Sequence, residues 1–276
     1  MAREDRSRGF SKYPPPGVDA REPNIARVYD AFLGGKDNFA ADRQVVESVV
    51  RVSEDAPAVA RANRAFLRRV VRYLVGEAGM TQLLDIGSGL PTADNVHQIA
   101  QRHHPGARVL YVDHDPAVVT QSQQLLAADQ NTLAVAGDLR DPAAVLADPP
   151  VAGHLDWTQP VALLMCGILH YIPDGEHPAD LTATWYQALA PGSYVFIHHL
   201  LASEDPSAAG LQTAMAQALG PVQFRTRPEV EALFGTLELV DPGVVPVPQW
   251  HPDADTPSER DQPVLGLACA GLAVVR

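Results

Sequence analysis

The chain has 276 residues, 46% of them apolar, and a formal net charge of −12. That length supports a substantial core, and no stretch approaches the ~20 apolar residues of a spanning helix, so a membrane protein is not expected. The acidic balance argues against a nucleic-acid partner, because a phosphate backbone is held by clustered Lys and Arg.

Residues 1–22 carry charge, the run Pro14-Pro15-Pro16 and no apolar period, which reads as a flexible or surface-draped tail and not as a secretory signal. Ordered structure should begin at Asn24, a helix cap before IARVYDAFL. Gly34-Gly35 breaks that helix, and Asp37 or Asn38 is placed to cap a second one through about Arg51. Asp55 with Pro57 opens a third, in which Val59, Phe66, Val70 and Leu74 recur at helical spacing. Its Arg61, Arg64, Arg68, Arg69 and Arg72 read mainly as a solvated face.

From residue 81 the pattern changes. TQLLDIG, ARVLYVD, TLAVAGD, PVALLMC and SYVFIHHL read as buried strands, with helices expected over 93–103, 115–128, 141–147 and 178–190. Such alternation predicts an α/β fold, a parallel sheet covered by helices on both faces. Thr226 to Glu229 forms a capping box for a further helix, and two β-rich pieces, 237–248 and 263–275, close the chain. The division expected is a tail (1–22), an N-terminal helical extension or lid (23–78) and the sheet domain (79–276). Cys166 and Cys269 lie in apolar runs and read as buried thiols, consistent with a reducing cytoplasm.

Ligands of open parallel sheets sit beyond the carboxyl ends of the strands, where strand order reverses. There the first strand runs into Asp85-Ile86-Gly87-Ser88-Gly89, a glycine turn that lets backbone approach a ligand closely. A dinucleotide fingerprint would want a third glycine where Thr92 stands. Asp85 would repel a pyrophosphate and welcome a cation. Asp113, with His114 beside it, ends the second strand where an acid accepts bonds from ribose hydroxyls, unless it merely caps the next helix. Gly137-Asp138-Leu139 follows the third strand, suited to an adenine amine or to an ordinary turn. His170 and Tyr171, after the fourth strand, are candidate catalytic residues: either His170 takes a proton from an acceptor or it packs beneath the ligand. His198 and His199 should point to opposite faces of the fifth strand, so at most one faces the site. His103-His104, His198-His199 and His251-x-Asp253 lack common ligand spacings, and no metal is expected.

Asp85-x-Gly-x-Gly, Asp113 and Gly137-Asp138, followed by LAPGSYVFIHHL, resemble the successive cofactor motifs of class I S-adenosylmethionine-dependent methyltransferases. The block Asn24 to Arg43, the GSGLPT turn and PGVVPVPQWHPD are similar to an actinobacterial family called simply S-adenosyl methyltransferase. The resemblance implies a Rossmann-like sandwich with a mostly parallel seven-stranded sheet, S-adenosylmethionine as cofactor and S-adenosylhomocysteine as product. It leaves the acceptor open, with a small molecule expected. It also favours a role for Tyr29, Gly34 and Lys36 in a lid that offers donors to the cofactor, against a plain surface hairpin. Two rival readings stand beside it: a non-catalytic sensor or partner that binds the same nucleotides, and an NAD-dependent oxidoreductase. Oligomeric state is not legible.

Overall fold

Short apolar runs rich in Val, Leu and Ile leave a chain no choice but to bury both faces of the strands they form. A computed structural model describes residues 14, 18–91, 94–203, 206–258 and 263–276. Most of the expected tail, and Thr92, lie outside them. The expected strands form as β1 (Gln82–Ile86), β2 (Arg108–Asp113), β3 (Thr132–Ala136), β4 (Ala162–Cys166) and β5 (Tyr194–Leu200). Three further strands follow: β6 (Glu238–Leu239), β7 (Val245–Pro246) and β8 (Ala268–Val274). The sheet runs β3-β2-β1-β4-β5-β8-β6, with β7 pairing β8 off that path. It is therefore eight-stranded among the described residues, where seven were expected; the added member is the two-residue β7. β1 to β5 pair in parallel, and β8 lies antiparallel to β5. Strand order reverses between β1 and β4, which puts the carboxyl ends of β1, β2 and β4 around one crevice.

Period-two alternation divides the core into two layers. Leu83, Val109, Leu164 and Phe196 face one layer, packed by α3 (Ala56–Gly76) and α4 (Val96–His103). Leu84, Leu110, Leu163 and Ile197 face the other, under α6 (Pro142–Ala147), α7 (Pro149–His154), α8 (Pro178–Tyr186) and α10 (Arg227–Ala232). The first layer is closed at its carboxyl end by α1 (Ile25–Phe32), α2 (Ala40–Val52) and α9 (Pro206–Leu219). Asp85, Asp113, Cys166 and His198 occupy the same strand positions, modulo two, as the residues of this first layer. The alternation aims all of them beneath α1, α3 and α9.

The N-terminal helices follow sequence logic with two corrections. Asn24 caps α1 as expected, its side chain accepting from the Arg27 N–H at 3.2 Å. Neither Asp37 nor Asn38 caps α2. Phe39 holds the cap position, its N–H donating to Asp42 at 2.7 Å, while the Asp37 N–H and Asn38 Nδ2 both donate to Asp30. The buried Asp42 also pairs with Arg27 at 2.9 Å, so the polar residues around the Gly-Gly turn largely satisfy one another. The second correction concerns α3. Arg69 is not on a solvated face; it is buried, its guanidinium donating to the carbonyls of Trp250 and Val247. Helices α7 and α9 were not anticipated, and α8 ends at Tyr186, short of the expected 190.

Candidate functional site

The crevice at the strand-order reversal opens into a cleft of about 210 Å³. Its floor at one end is the glycine turn. Gly87 and Gly89 adopt φ of +71° and +67°, and a Cβ on Gly87 would stand 2.8 Å from Ile168, so this position excludes a side chain twice over. The turn is tied to the next strand: the Gly89 N–H donates to Asp113 Oδ2 at 2.9 Å, and the Asp115 N–H to Asp113 Oδ1 at 3.0 Å. The helix-cap alternative for Asp113 falls to Asp115, which accepts from the Ala117 N–H at the start of α5 (Pro116–Leu126).

Electrostatics single out the first carboxylate. Burial pushes the Asp85 carboxyl up to about 7, opposed by nearby Arg64 and reinforced by the Asp113 charge. Burial also raises the Asp113 carboxyl. Two buried acids at adjacent strand ends, each costly to ionise alone, make a place that favours a cation. Arg64, read from sequence as part of a solvated stretch, lines this end of the cleft and donates to the Asp94 carbonyl at 3.0 Å. It is the functional candidate that helical spacing alone did not separate from its neighbours.

Asp85, Gly87, Ser88, Gly89, Asp113, His114 and Tyr29 all line the cleft. Gly137, Asp138 and Leu139 line an adjoining pocket of about 130 Å³ that shares Gly87, Asp113 and Tyr171 with it. Gly137 has no room for a Cβ, which would meet Val145 at 2.7 Å and Val112 at 2.9 Å. Gly34 and Lys36 line neither; both are exposed on the turn after α1. On that turn the Asp37 N–H and Asn38 Nδ2 are engaged by Asp30.

His170 lies on a 3-10 turn (Leu169–Tyr171) after β4, held from below by a buried arginine. Arg225 donates to the carbonyls of Leu169 and Ile172, to Asp174 at 2.7 Å and to His199 Nε2 at 3.0 Å. Because a guanidinium only donates, His199 Nε2 is the acceptor and its Nδ1 carries the proton given to the Leu200 carbonyl. His199 is thus a structural residue facing away from the cleft, while His198 lines it. Burial, together with His199, His198 and Arg225, drives His170 well below the ordinary histidine range. Burial takes His198 down to about 3, so both rings are neutral near pH 7. A polar chain that sequence reasoning did not foresee crosses the cleft wall: Asn63 Nδ2 donates to Tyr29 Oη at 3.2 Å, and Cys166 Sγ donates to Asn63 Oδ1 at 3.4 Å. Its members come from α1, α3 and β4, and no local spacing links them. Among the described residues no three His, Cys, Asp or Glu side chains cluster as metal ligands, and no helix is long and apolar enough to cross a membrane.

A family model described as S-adenosyl methyltransferase matches residues 11–276. No curated protein matches the chain. Among solved structures, a candidate methyltransferase from Thermobifida fusca YX is 42% identical over 96% of this chain and 100% of its own, with a TM-score of 0.92. A DUF574 family protein from Streptomyces avermitilis MA-4680 is 38% identical over 94% and 99%, with a TM-score of 0.89. Human N-acetylserotonin methyltransferase, solved with S-adenosylmethionine, is 18% identical over 94% of this chain and 60% of its own; its TM-score of 0.50 marks a likeness of fold.

Proposed function

The chain belongs to the S-adenosyl methyltransferase family, and from that premise we propose that it transfers the methyl group of S-adenosylmethionine to a small-molecule acceptor bound in the same cleft. The observation that carries this reading is the series Asp85, Asp113 and Asp138, carboxylates at or just beyond the ends of three adjacent strands, around a turn in which Gly87 has no room for a side chain. The donor set fits the group: a pyrophosphate would meet acids on three sides, whereas a ligand with an ammonium, a ribose and an adenine finds a partner at each.

When bound, S-adenosylmethionine supplies an electrophilic methyl on a sulfonium, so the protein needs no nucleophile of its own. Asp85 would hold the ammonium and Arg64 the carboxylate of the methionine portion. Asp113, beside His114, would accept from the ribose hydroxyls, and Asp138 with Leu139 would take the adenine at Gly137. Gly87, Ser88 and Gly89 let the backbone come close. Tyr171 lines both the main cleft and the adjoining pocket, where the two ligands would meet. His170, neutral and buried, presents a lone pair to an acceptor that must shed a proton. We assign α1 and its turn as the cover that excludes water. Asn24 hydrogen-bonds Asp115, and Gln121 donates to Asp37 at 3.0 Å, both ties reaching from this segment to the start of α5 or its body. Orienting the acceptor in line can contribute roughly 7–11 kcal/mol to the rate.

Calorimetric titration of S-adenosylmethionine, S-adenosylhomocysteine and NAD into wild type and Asp113→Ala tests the reading. Both sulfur nucleotides should bind, NAD should not, and the mutant should lose about ten- to a hundred-fold in affinity, the loss of a charge-assisted bond. A folded protein that binds neither sulfur nucleotide refutes it.

A further inference from the structure

Away from the glycine turn the cleft forms a chamber walled by Val28 and Phe32 of α1, Val59 and Ala60 of α3, and Leu211 and Met215 of α9. The carboxylates that line the cleft, Asp85, Asp113 and Asp115, gather at the ends of β1 and β2, with Arg64 beside them. Among the described residues that line the cleft, the charged groups are those of this nucleotide end, where the proposed cofactor would engage Asp85, Asp113 and Arg64. What polar groups the chamber has converge on Gly167, whose φ of +71° keeps the position without a side chain. The point where a Cβ would stand is 3.6 Å from His198 Nδ1, 3.8 Å from His170 Cε1 and 3.9 Å from Asn63 Nδ2.

Asn63 is already engaged with Tyr29 and Cys166. His198 is not. It is 2% exposed, and neither ring nitrogen has a hydrogen-bond partner among the described residues; the same holds for His170 Nδ1. Buried polar atoms are nearly always paired, and each one left unpaired costs free energy that a ligand would restore. A neutral imidazole offers one donor and one acceptor. A hydroxyl can meet whichever nitrogen it faces, donating to a bare nitrogen or accepting from an N–H. A carboxylate could only accept and an ammonium only donate, and either would lose its hydration among apolar walls once Asp85 and Arg64 are engaged by the nucleotide.

We infer that the methyl acceptor is an uncharged, largely apolar molecule whose hydroxyl sits above Gly167 in a hydrogen bond with His198, its apolar body filling the chamber between α1, α3 and α9. The inference rests on the methyl-transfer reading and names the acceptor class and the residue that holds it. His198 is on β5, at the far side of β4 from the nucleotide end, so its removal should leave nucleotide binding intact.

The test uses the full chain saturated with S-adenosylhomocysteine, titrated with two matched pairs of probes, 1-naphthol against 1-naphthoate and decan-1-ol against decanoate. At least one alcohol should bind, with its carboxylate partner ten-fold weaker or more. His198→Ala should weaken that alcohol by about five- to ten-fold, the loss of one hydrogen bond, and His198→Gln, which keeps an N–H donor, should recover part of it. Unchanged S-adenosylhomocysteine affinity and an unchanged circular dichroism spectrum show that the variants are folded. Binding of S-adenosylhomocysteine with no alcohol bound, with carboxylates preferred, or with alcohol affinity indifferent to His198 overturns the inference while the nucleotide reading stands. A wild type that fails to bind S-adenosylhomocysteine overturns both.

Discussion

Replacing Asp85 by Asn separates an electrostatic cost from a packing cost, because the two side chains share a shape and differ in charge. In the folded chain burial moves this carboxyl from 3.8 to about 7. That interval corresponds to roughly 4 kcal/mol between its protonation states. The sign follows from linkage: a carboxyl whose native pKa is raised contributes fully below about pH 4, and that contribution is lost as pH rises toward 7. Above pH 7 the wild type folds with an ionised, desolvated acid. Asn carries no such burden, and whatever its amide costs in packing is the same at every pH. The stability of Asp85→Asn relative to wild type should therefore rise by about 2–3 kcal/mol between pH 5 and pH 8, part of the interval having been spent by pH 5 already. Urea denaturation at both pH values, followed by circular dichroism, measures it. In the same series, wild-type affinity for S-adenosylmethionine should improve with pH up to about 7, as the acid becomes free to meet a cation, and the variant should bind weakly at every pH. A stability difference that stays constant with pH would refute the reasoning, since it would mean that Asp85 is ionised at no cost.

Other expectations concern single contacts. Arg64→Ala should weaken S-adenosylhomocysteine by about ten-fold yet leave its decarboxylated analogue unaffected, as calorimetry with both ligands would reveal; an equal loss for the two would remove Arg64 from the carboxylate. Gly87→Ala forces a Cβ onto Ile168 at 2.8 Å and a left-handed backbone; it should cost at least 1–2 kcal/mol of stability and abolish nucleotide binding, measured by thermal denaturation and titration. Arg225→Met strands His199 Nε2 and the carbonyls beneath the His170 turn, so a loss of roughly 3 kcal/mol in urea denaturation is expected. A loss under 1 kcal/mol would show that the turn holds itself.

How much of this was readable beforehand depends on how local each cause is. The strands were legible because an uninterrupted apolar run such as VALLMC has one economical fate in a parallel sheet, and the glycine turn because backbone geometry there is set within a few residues. Helix α9 was not, since PSAAGLQTAMAQAL spreads small residues around the helix without an apolar stripe. Arg69 looked solvated because nothing near it in sequence shows that the Trp250 and Val247 carbonyls will stand over it. Arg64 differs from Arg68 by one helical turn and by everything the third dimension adds. The chain Tyr29, Asn63 and Cys166 joins three elements that meet only in the folded protein. Lys36 and Gly34 line neither pocket, and around them the cluster of polar residues meets part of its demand for hydrogen bonds internally, at Asp30.

The two-residue pleat has a consequence for how such a chain can diverge. Asp85, Asp113, Cys166 and His198 reach one crevice only because each falls on the same parity of its strand as the residues of the first core layer. Point substitutions at these sites change chemistry and leave the layers intact. Gaining or losing one residue within β5 would instead offer His199 to the crevice, push His198 into the opposite layer and exchange every neighbour with it. Side chains that face the crevice can therefore change one at a time, and the turns beyond the strands can lengthen, whereas a change of length within β1, β2, β4 or β5 re-faces a whole strand.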